Sequence, residues 1–369
     1  MSEASALLPQ GFRDRLPPGA EAAAALLRSV VDTLASHGYA RVQPPLVEHE
    51  ASLARWLGKP LATALFRSPD PMSGAALALR PDITGQIARI AATRLAAAPR
   101  PLRLAYGGPV LRARGTQLAP ARELTQAGAE LIGTDSVAAL AEMIAVSVEA
   151  LERAGVTAIC VDLTLPELVP ALAAGPWPVA DPQAVVAALD GKDSGALEAL
   201  GAIAYCPLLE AAGPVSASLA RLQALPIDAA LLASLAALIA KLPAVAVTLD
   251  PTERHGFEYH SWIGFSLFGE ANGTPVRGEI GRGGSYRVRH PDGTDEPACG
   301  FSLYIDSLVD AGLGESPARR IFIPEGTAAP TAAALRAEGF ATVAALSPAD
   351  TAAGCSHIWN GSAAVAKDP

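Results

Sequence analysis

Charge of either sign is scarce in this chain: Asp, Glu, Lys and Arg make up 18% of its 369 residues. Cations are the scarcer sign, 28 Lys and Arg against 37 Asp and Glu, which leaves a formal net charge of -9. Nucleic-acid surfaces concentrate positive charge to meet phosphates, so no large DNA or RNA footprint is expected. Cysteine is nearly absent. Cys160, Cys206, Cys299 and Cys355 form no CxxC pair, and reduced thiols in a cytoplasmic chain are the expectation. No run of about 18 apolar residues occurs, so no membrane span is expected. Residues 1–10 carry no basic stretch followed by a long apolar segment, so no cleaved signal is expected either. His255 and His260 are five apart and no HExxH occurs, which argues against a metal site. A Walker A loop, a dinucleotide fingerprint and a nucleophile elbow are all missing, and no cofactor is expected.

Half of the residues are hydrophobic, enough for a sizeable core. The length suggests two or three domains at about 150 residues each. Leu26, Leu27, Val30, Val31 and Leu34 recur at helical spacing after Pro17 and Pro18, and Gly38 suits the helix end. Extended chain is expected at 41–47 and a helix over 84–97, where Ile83, Ile87 and Ile90 share a face. Weak alternation at 102–106 reads as a strand broken by Gly107, Gly108 and Pro109. Residues 110–114 and 123–131 read as further strands around a loop at 115–121. A helix at 136–153, stopped by Gly155, and a strand at 158–163 follow. Residues 165–240, rich in Ala and Leu, read as a helical insertion. Strands return at 244–249 and 256–268, and Gly273 suits a hairpin turn. The stretch 276–288 reads as two strands about a close backbone approach at Gly281, Gly283 and Gly284. Strand 300–303 and helix 305–311 complete a core region, 1–312. Residues 313–369 carry short strand and helix signals and read as a small C-terminal α/β region. The order, helices and then a mostly antiparallel sheet, argues for α+β rather than a βαβ series.

The polar residues inside this frame have two readings each. Asp82 and Thr84 stand at a helix start, where they can cap first-turn amides or recognise an ammonium. Gln126 and Glu130 are four apart and so share one side of a strand. They either belong to a half-exposed strand or recognise an amine or imidazole. Arg112 suits a phosphate, a carboxylate or a surface ion pair. Tyr259 suits a small polar ligand or simple aromatic packing.

Taken together in order and spacing, these segments resemble the histidyl-tRNA synthetase-like branch of the class II synthetases, from about residue 11 to residue 312. Gly11-Phe12-Arg13-Asp14-Arg15-Leu16-Pro17 is similar to that family's opening segment and 79–84 to its amino-acid-pocket segment. Residues 106–133 are similar to its motif two and 300–309 to its motif three. The resemblance implies an antiparallel sheet flanked by helices, histidine contacts at Asp82, Thr84, Gln126, Glu130 and Tyr259, and a phosphate contact at Arg112. It also exposes departures. Arg114 stands where the family has an adenine-recognising acid. His255 replaces the leading arginine of the RGLDYYTG-like motif, and His260 its second tyrosine. Ser285 replaces the arginine of the GGRYD-like segment, and motif three ends in Asp306-Ser307 without its arginine. Amino-acid activation develops negative charge on phosphate, and losing one preorganised donor costs about 3 kcal/mol, a hundredfold or more in rate.

The closer resemblance is therefore to the regulatory subunits of ATP phosphoribosyltransferase. That resemblance implies a non-catalytic, cytoplasmic chain of histidine biosynthesis. It would activate a short catalytic subunit that transfers phosphoribose from PRPP to ATP. It would form a regulatory-chain dimer within a hetero-octamer and help transmit feedback inhibition by L-histidine. The alternatives are an active histidine-tRNA ligase and a histidine-sensing interaction protein for another enzyme.

Overall fold

The structure, a computed structural model, describes residues 8–57, 65–115, 120–254, 260–316 and 318–367. The chain opens with helix α1 (Gly19–Ser36), where Leu26, Val30 and Leu34 form one buried stripe. The extended stretch expected at 41–47 is two short strands, β1 (Ala40–Arg41) and β2 (Val47–His49), which belong to different sheets. Helix α2 (Glu50–Trp56) follows, then β3 (Phe66–Pro69) and β4 (Ala76–Leu79), which complete a three-stranded sheet ordered β2-β4-β3. Helix α3 (Thr84–Thr93) is four residues shorter at its end than the sequence suggests.

Strand β5 (Leu102–Leu111) corrects one expectation. It runs unbroken through Gly107, Gly108 and Pro109 and pairs along its whole length with β6 (Glu123–Ile132). The glycines are there for room rather than for a turn. A Cβ on Gly107 would meet the Leu27 side chain at 2.7 Å, and one on Gly108 would meet the Arg80 guanidinium at 2.6 Å. Pro109 costs no ladder bond. Its carbonyl points outward to accept from Arg80 Nε at 2.8 Å, and its nitrogen faces the same open edge, since β1 covers only Leu104 and Ala105.

After β6 come α4 (Val137–Arg153), capped by the Ser136 hydroxyl on the Ala139 N–H, and β7 (Thr157–Thr164). The helical insertion then carries six α-helices among the described residues, from α5 (Leu168–Ala174) to α10 (Ala229–Ile239). Asp181, Asp193 and Asp228 each cap one of them by accepting first-turn amides. The insertion also contains β8 (Gly213–Pro214) and leads into β9 (Ala246–Leu249). Strand β10 (His260–Ala271) turns through Asn272 and Gly273, both at positive φ (52° and 75°), into β11 (Thr274–Pro275). Strands β12 (Gly281–Arg289) and β13 (Asp295–Tyr304) and helix α11 (Ile305–Asp310) complete this unit.

The main sheet has ten strands among the described residues, along the path β1-β5-β6-β13-β12-β10-β7-β9-β8 with β11 on β10. Only β1/β5 and β7/β9 pair in parallel. Alternation along the central strands separates two faces. Ala127, Ala129, Leu131, Phe301 and Leu303 join the core built on α1 and α4. On the opposite face, Leu104, Tyr106, Ile132, Tyr286 and Ala298 pack against Ile83, Ile87 and the alanines of α3. The candidate site lies on that second face.

The chain divides at Gly314, with Glu315–Pro369 as a second compact unit. This unit is a four-stranded sheet ordered β15 (Ala341–Ala344), β14 (Arg320–Ile323), β16 (His357–Trp359) and β17 (Ala364–Ala366). With α12 (Ala329–Ala337) it closes its own core of Ile321, Ile323, Leu335 and Phe340. No described helix is long and apolar enough to cross a membrane.

Candidate functional site

Register brings the polar residues together. Tyr106 on β5 lies opposite Gly128 on β6, between Gln126 and Glu130 on the same face. Gly300 on β13 lies opposite Glu130, and Tyr304 opposite Gln126. Small residues hollow out this face. A Cβ on Gly300 would fall 1.7 Å from Glu130 Oε2, so only glycine leaves the carboxyl its place. A Cβ on Gly128 would stand 2.7 Å from the Tyr106 hydroxyl.

A connected hydrogen-bond network fills the hollow. Glu130 accepts from the Tyr106 hydroxyl at 3.1 Å and from the Tyr286 hydroxyl at 2.8 Å. The Tyr106 hydroxyl also meets Thr84 Oγ1 at 3.2 Å and Ser302 Oγ at 2.8 Å. Gln126 Nε2 donates to Ser302 Oγ at 2.6 Å and to Asp82 Oδ2 at 2.7 Å, while Gln126 Oε1 accepts the Ile83 N–H at 3.0 Å. The other Asp82 oxygen accepts the Thr84 N–H at 2.7 Å. One Asp82 oxygen thus orders the start of α3, and the other faces the network.

Gln126 and Glu130 are each 1% exposed, while Asp82 and Thr84 are partly open. Burial is the main reason the Glu130 carboxyl is pushed up to about 8, against the pull of the Tyr286, Thr84 and Tyr106 hydrogen bonds. Burial therefore favours its protonated form near neutral pH. Burial, with Glu130 beside it, also raises the Tyr106 phenol. Asp82, Thr84, Glu130, His260 and Tyr286 line a cavity of about 30 Å³. That is room for roughly two waters, at about 10–15 Å³ each. A partly open carboxylate at the rim and a buried protonated one at the floor suit a ligand with a cationic head and a polar, planar tail.

The structure thus gathers four of the sequence-derived candidates, Asp82, Thr84, Gln126 and Glu130. Tyr259 lies outside the described residues, as does His255. Arg112 is not part of the cavity. It lines a larger groove beside it, and its buried Nε has no hydrogen-bond partner among the described residues. Sequence reasoning missed Tyr106 and Ser302 as members of the network. Their only signal was parity with Gln126 and Glu130, which carries information only once the β5/β6/β13 register is known.

A family model described as histidyl-tRNA synthetase matches residues 11–308. An ATP phosphoribosyltransferase regulatory subunit of Paramagnetospirillum magneticum is 46% identical, over 93% of this chain and 92% of the relative. One of Rhodospirillum centenum is 42% identical over 98% and 96%. A crystal structure from Bacillus halodurans, described as an ATP phosphoribosyltransferase regulatory subunit/histidyl-tRNA synthetase, superposes with a TM-score of 0.79. It is 27% identical and covers 93% of each chain. With the model match spanning most of the chain and the relatives matching nearly end to end, this chain belongs to the ATP phosphoribosyltransferase regulatory subunits, a histidyl-tRNA synthetase-like family.

Proposed function

We propose that this chain works as the non-catalytic regulatory subunit of an ATP phosphoribosyltransferase in histidine biosynthesis. The observation that carries the reading is its near full-length identity with curated regulatory subunits, 46% in the first of them. The separate, short catalytic subunit is its partner and supplies the transfer of phosphoribose from PRPP to ATP. The regulatory chain activates that subunit on assembly, in the cytoplasm, as a dimer within a hetero-octamer.

L-histidine is the effector, and its site is the cavity lined by Asp82, Thr84 and Glu130, with Gln126 bonded to Asp82 beside it; Tyr259, outside the described residues, is the further contact in this reading. Asp82 at the rim receives the α-ammonium, and Gln126 and Glu130 face the imidazole. The chemistry of the network supports this assignment: acceptors and a switchable carboxyl lie in one hollow, on rigid strands. The cavity's 30 Å³ holds about two waters, so a bound histidine displaces them and shifts the lining side chains. Such a ligand favours one conformation over another through differential contacts, which feedback inhibition requires.

The test is phosphoribosyl-ATP formation by the matching catalytic chain, with and without this protein, across a histidine titration. Activation on mixing, followed by inhibition with histidine, is expected. In Glu130→Gln, activation should persist while inhibition shifts to higher histidine. No gain on mixing, with both chains folded at micromolar concentration, would overturn the regulatory reading. Unchanged histidine inhibition in Glu130→Gln would overturn only the placement of the effector.

A further inference from the structure

A groove of about 1390 Å³ adjoins the cavity and shares Arg282 and Tyr304 with it. It is larger than most small-molecule sites, which run at about 300–1,000 Å³. Arginine forks on such a wall suit phosphate or carboxylate anions. The wall is nevertheless balanced. Among the described lining residues, five arginines stand with five carboxylates.

Two of those carboxylates come from the short helix α11, and they hold the segment that precedes α1. Arg15 is ion-paired with Asp306, and the two side chains are only 21% and 14% exposed. The second oxygen of Asp306 accepts the Thr125 N–H at 2.5 Å. One carboxylate therefore occupies both the guanidinium and the backbone donor that an incoming anion would use. Arg13 Nη2 donates to both oxygens of Asp310, at 2.7 and 2.9 Å, in a half-exposed pair, and Arg15 Nη1 lies 3.8 Å from the same carboxylate. The same segment is fixed at its other end by Arg122. The Arg122 N–H donates to Gly11 O at 2.9 Å, and its Nη1 donates to Gln10 O at 3.1 Å. Its guanidinium lies 5.0 Å from the Phe12 ring centre and 4.6 Å from that of Phe66.

We propose that residues 10–15 are a strap latched by Asp306, which serves as a built-in anion and keeps the groove closed to phosphorylated ligands. Released from Asp306, Arg15 and the Thr125 N–H form a polyanion site on the same wall as Arg112. The Arg112 Nε, buried without a partner among the described residues, is the cationic contact the latch leaves unused. An exposed ion pair would fix little, but this one is largely withdrawn from water and shares its carboxylate with a backbone donor.

The test is titration of the full chain with inorganic pyrophosphate and with ATP, followed by calorimetry. The wild type is expected to show no saturation at millimolar ligand. Asp306→Asn keeps the size of the side chain and an acceptor for Thr125 while removing the charge. It should bind at least about tenfold tighter than wild type. That gain should vanish in Asp306→Asn with Arg112→Ala. Circular dichroism and melting identify folded variants. If Asp306→Asn does not fold, the exposed Asp310→Asn takes its place, with a smaller gain of about threefold from freeing Arg13. Wild-type binding as tight as that of the variant would overturn the closure. A folded variant without any gain would overturn the role of the latch.

Discussion

At the scale of the residue, Glu130 decides the chemistry. Its carboxyl rises from 4.5 to about 8 because it is buried, so the folded chain holds a proton that the unfolded chain releases above 4.5. Stability from this group is full below pH 4.5 and is lost as pH rises through about 8. The slope is at most about 1.4 kcal/mol per pH unit. Glu130→Gln imitates the protonated form, so urea melts at pH 5, 6, 7 and 8 should lose that component of the slope. An unchanged slope would place the proton elsewhere. The charge of Asp82 helps to raise the Glu130 carboxyl, so an ammonium that neutralises Asp82 favours the ionised form of Glu130. Histidine binding at pH 7 should therefore release a proton, visible as a binding enthalpy that depends on the buffer's ionisation enthalpy. Tyr106→Phe removes the hydroxyl that joins Thr84, Glu130 and Ser302. It should cost about 1–2 kcal/mol in a denaturant melt, the usual loss for a buried hydrogen-bond group.

At the scale of the element, the site depends on which residues are missing a side chain. Gly300→Ala would drive a methyl onto Glu130 Oε2 and within 2.7 Å of the Ala129 carbonyl. Backbone on one side and a packed carboxyl on the other cannot both yield. The variant should lose about 1–3 kcal/mol of stability together with histidine sensitivity. Gly107→Ala instead meets the terminal methyl of Leu27, which can turn away, and should be milder in the same melt. Parity along β6 is legible in the sequence, since Gln126 and Glu130 must share a face of any strand that holds both. The continuity of β5 is not. Gly-Gly-Pro reads locally as a break, and only the packing of Leu27 and Arg80 against the strand shows why small residues and an outward-facing proline fit there.

At the scale of the whole molecule, the chain is two compact units with separate cores. The larger unit contains the whole described network, from Asp82 to Ser302. A chain ending at Gly314 should therefore fold and melt within a few degrees of the full chain, and it should keep the pH slope attributed to Glu130. Loss of cooperative melting in that truncation would show that the larger unit depends on residues 315–369.

The sequence by itself determined the α+β class, the helical insertion and the family. These follow from periodicity, turn chemistry and motif order, which are local properties of the chain. It also determined that Gln126 and Glu130 point the same way, because strand geometry repeats every second residue. Only the tertiary structure decided that Glu130 sits beneath two tyrosine hydroxyls in a burial that raises its carboxyl, since its partners arrive from β5 and β12 through sheet register. The same holds for Asp306. In the sequence it is one more acid, at the end of the segment that resembles motif three. In the fold it closes on Arg15, 291 positions away, because α11 and the segment before α1 meet at one groove. Burial and long-range pairing set charge state and access, and neither is a property of any short stretch of chain.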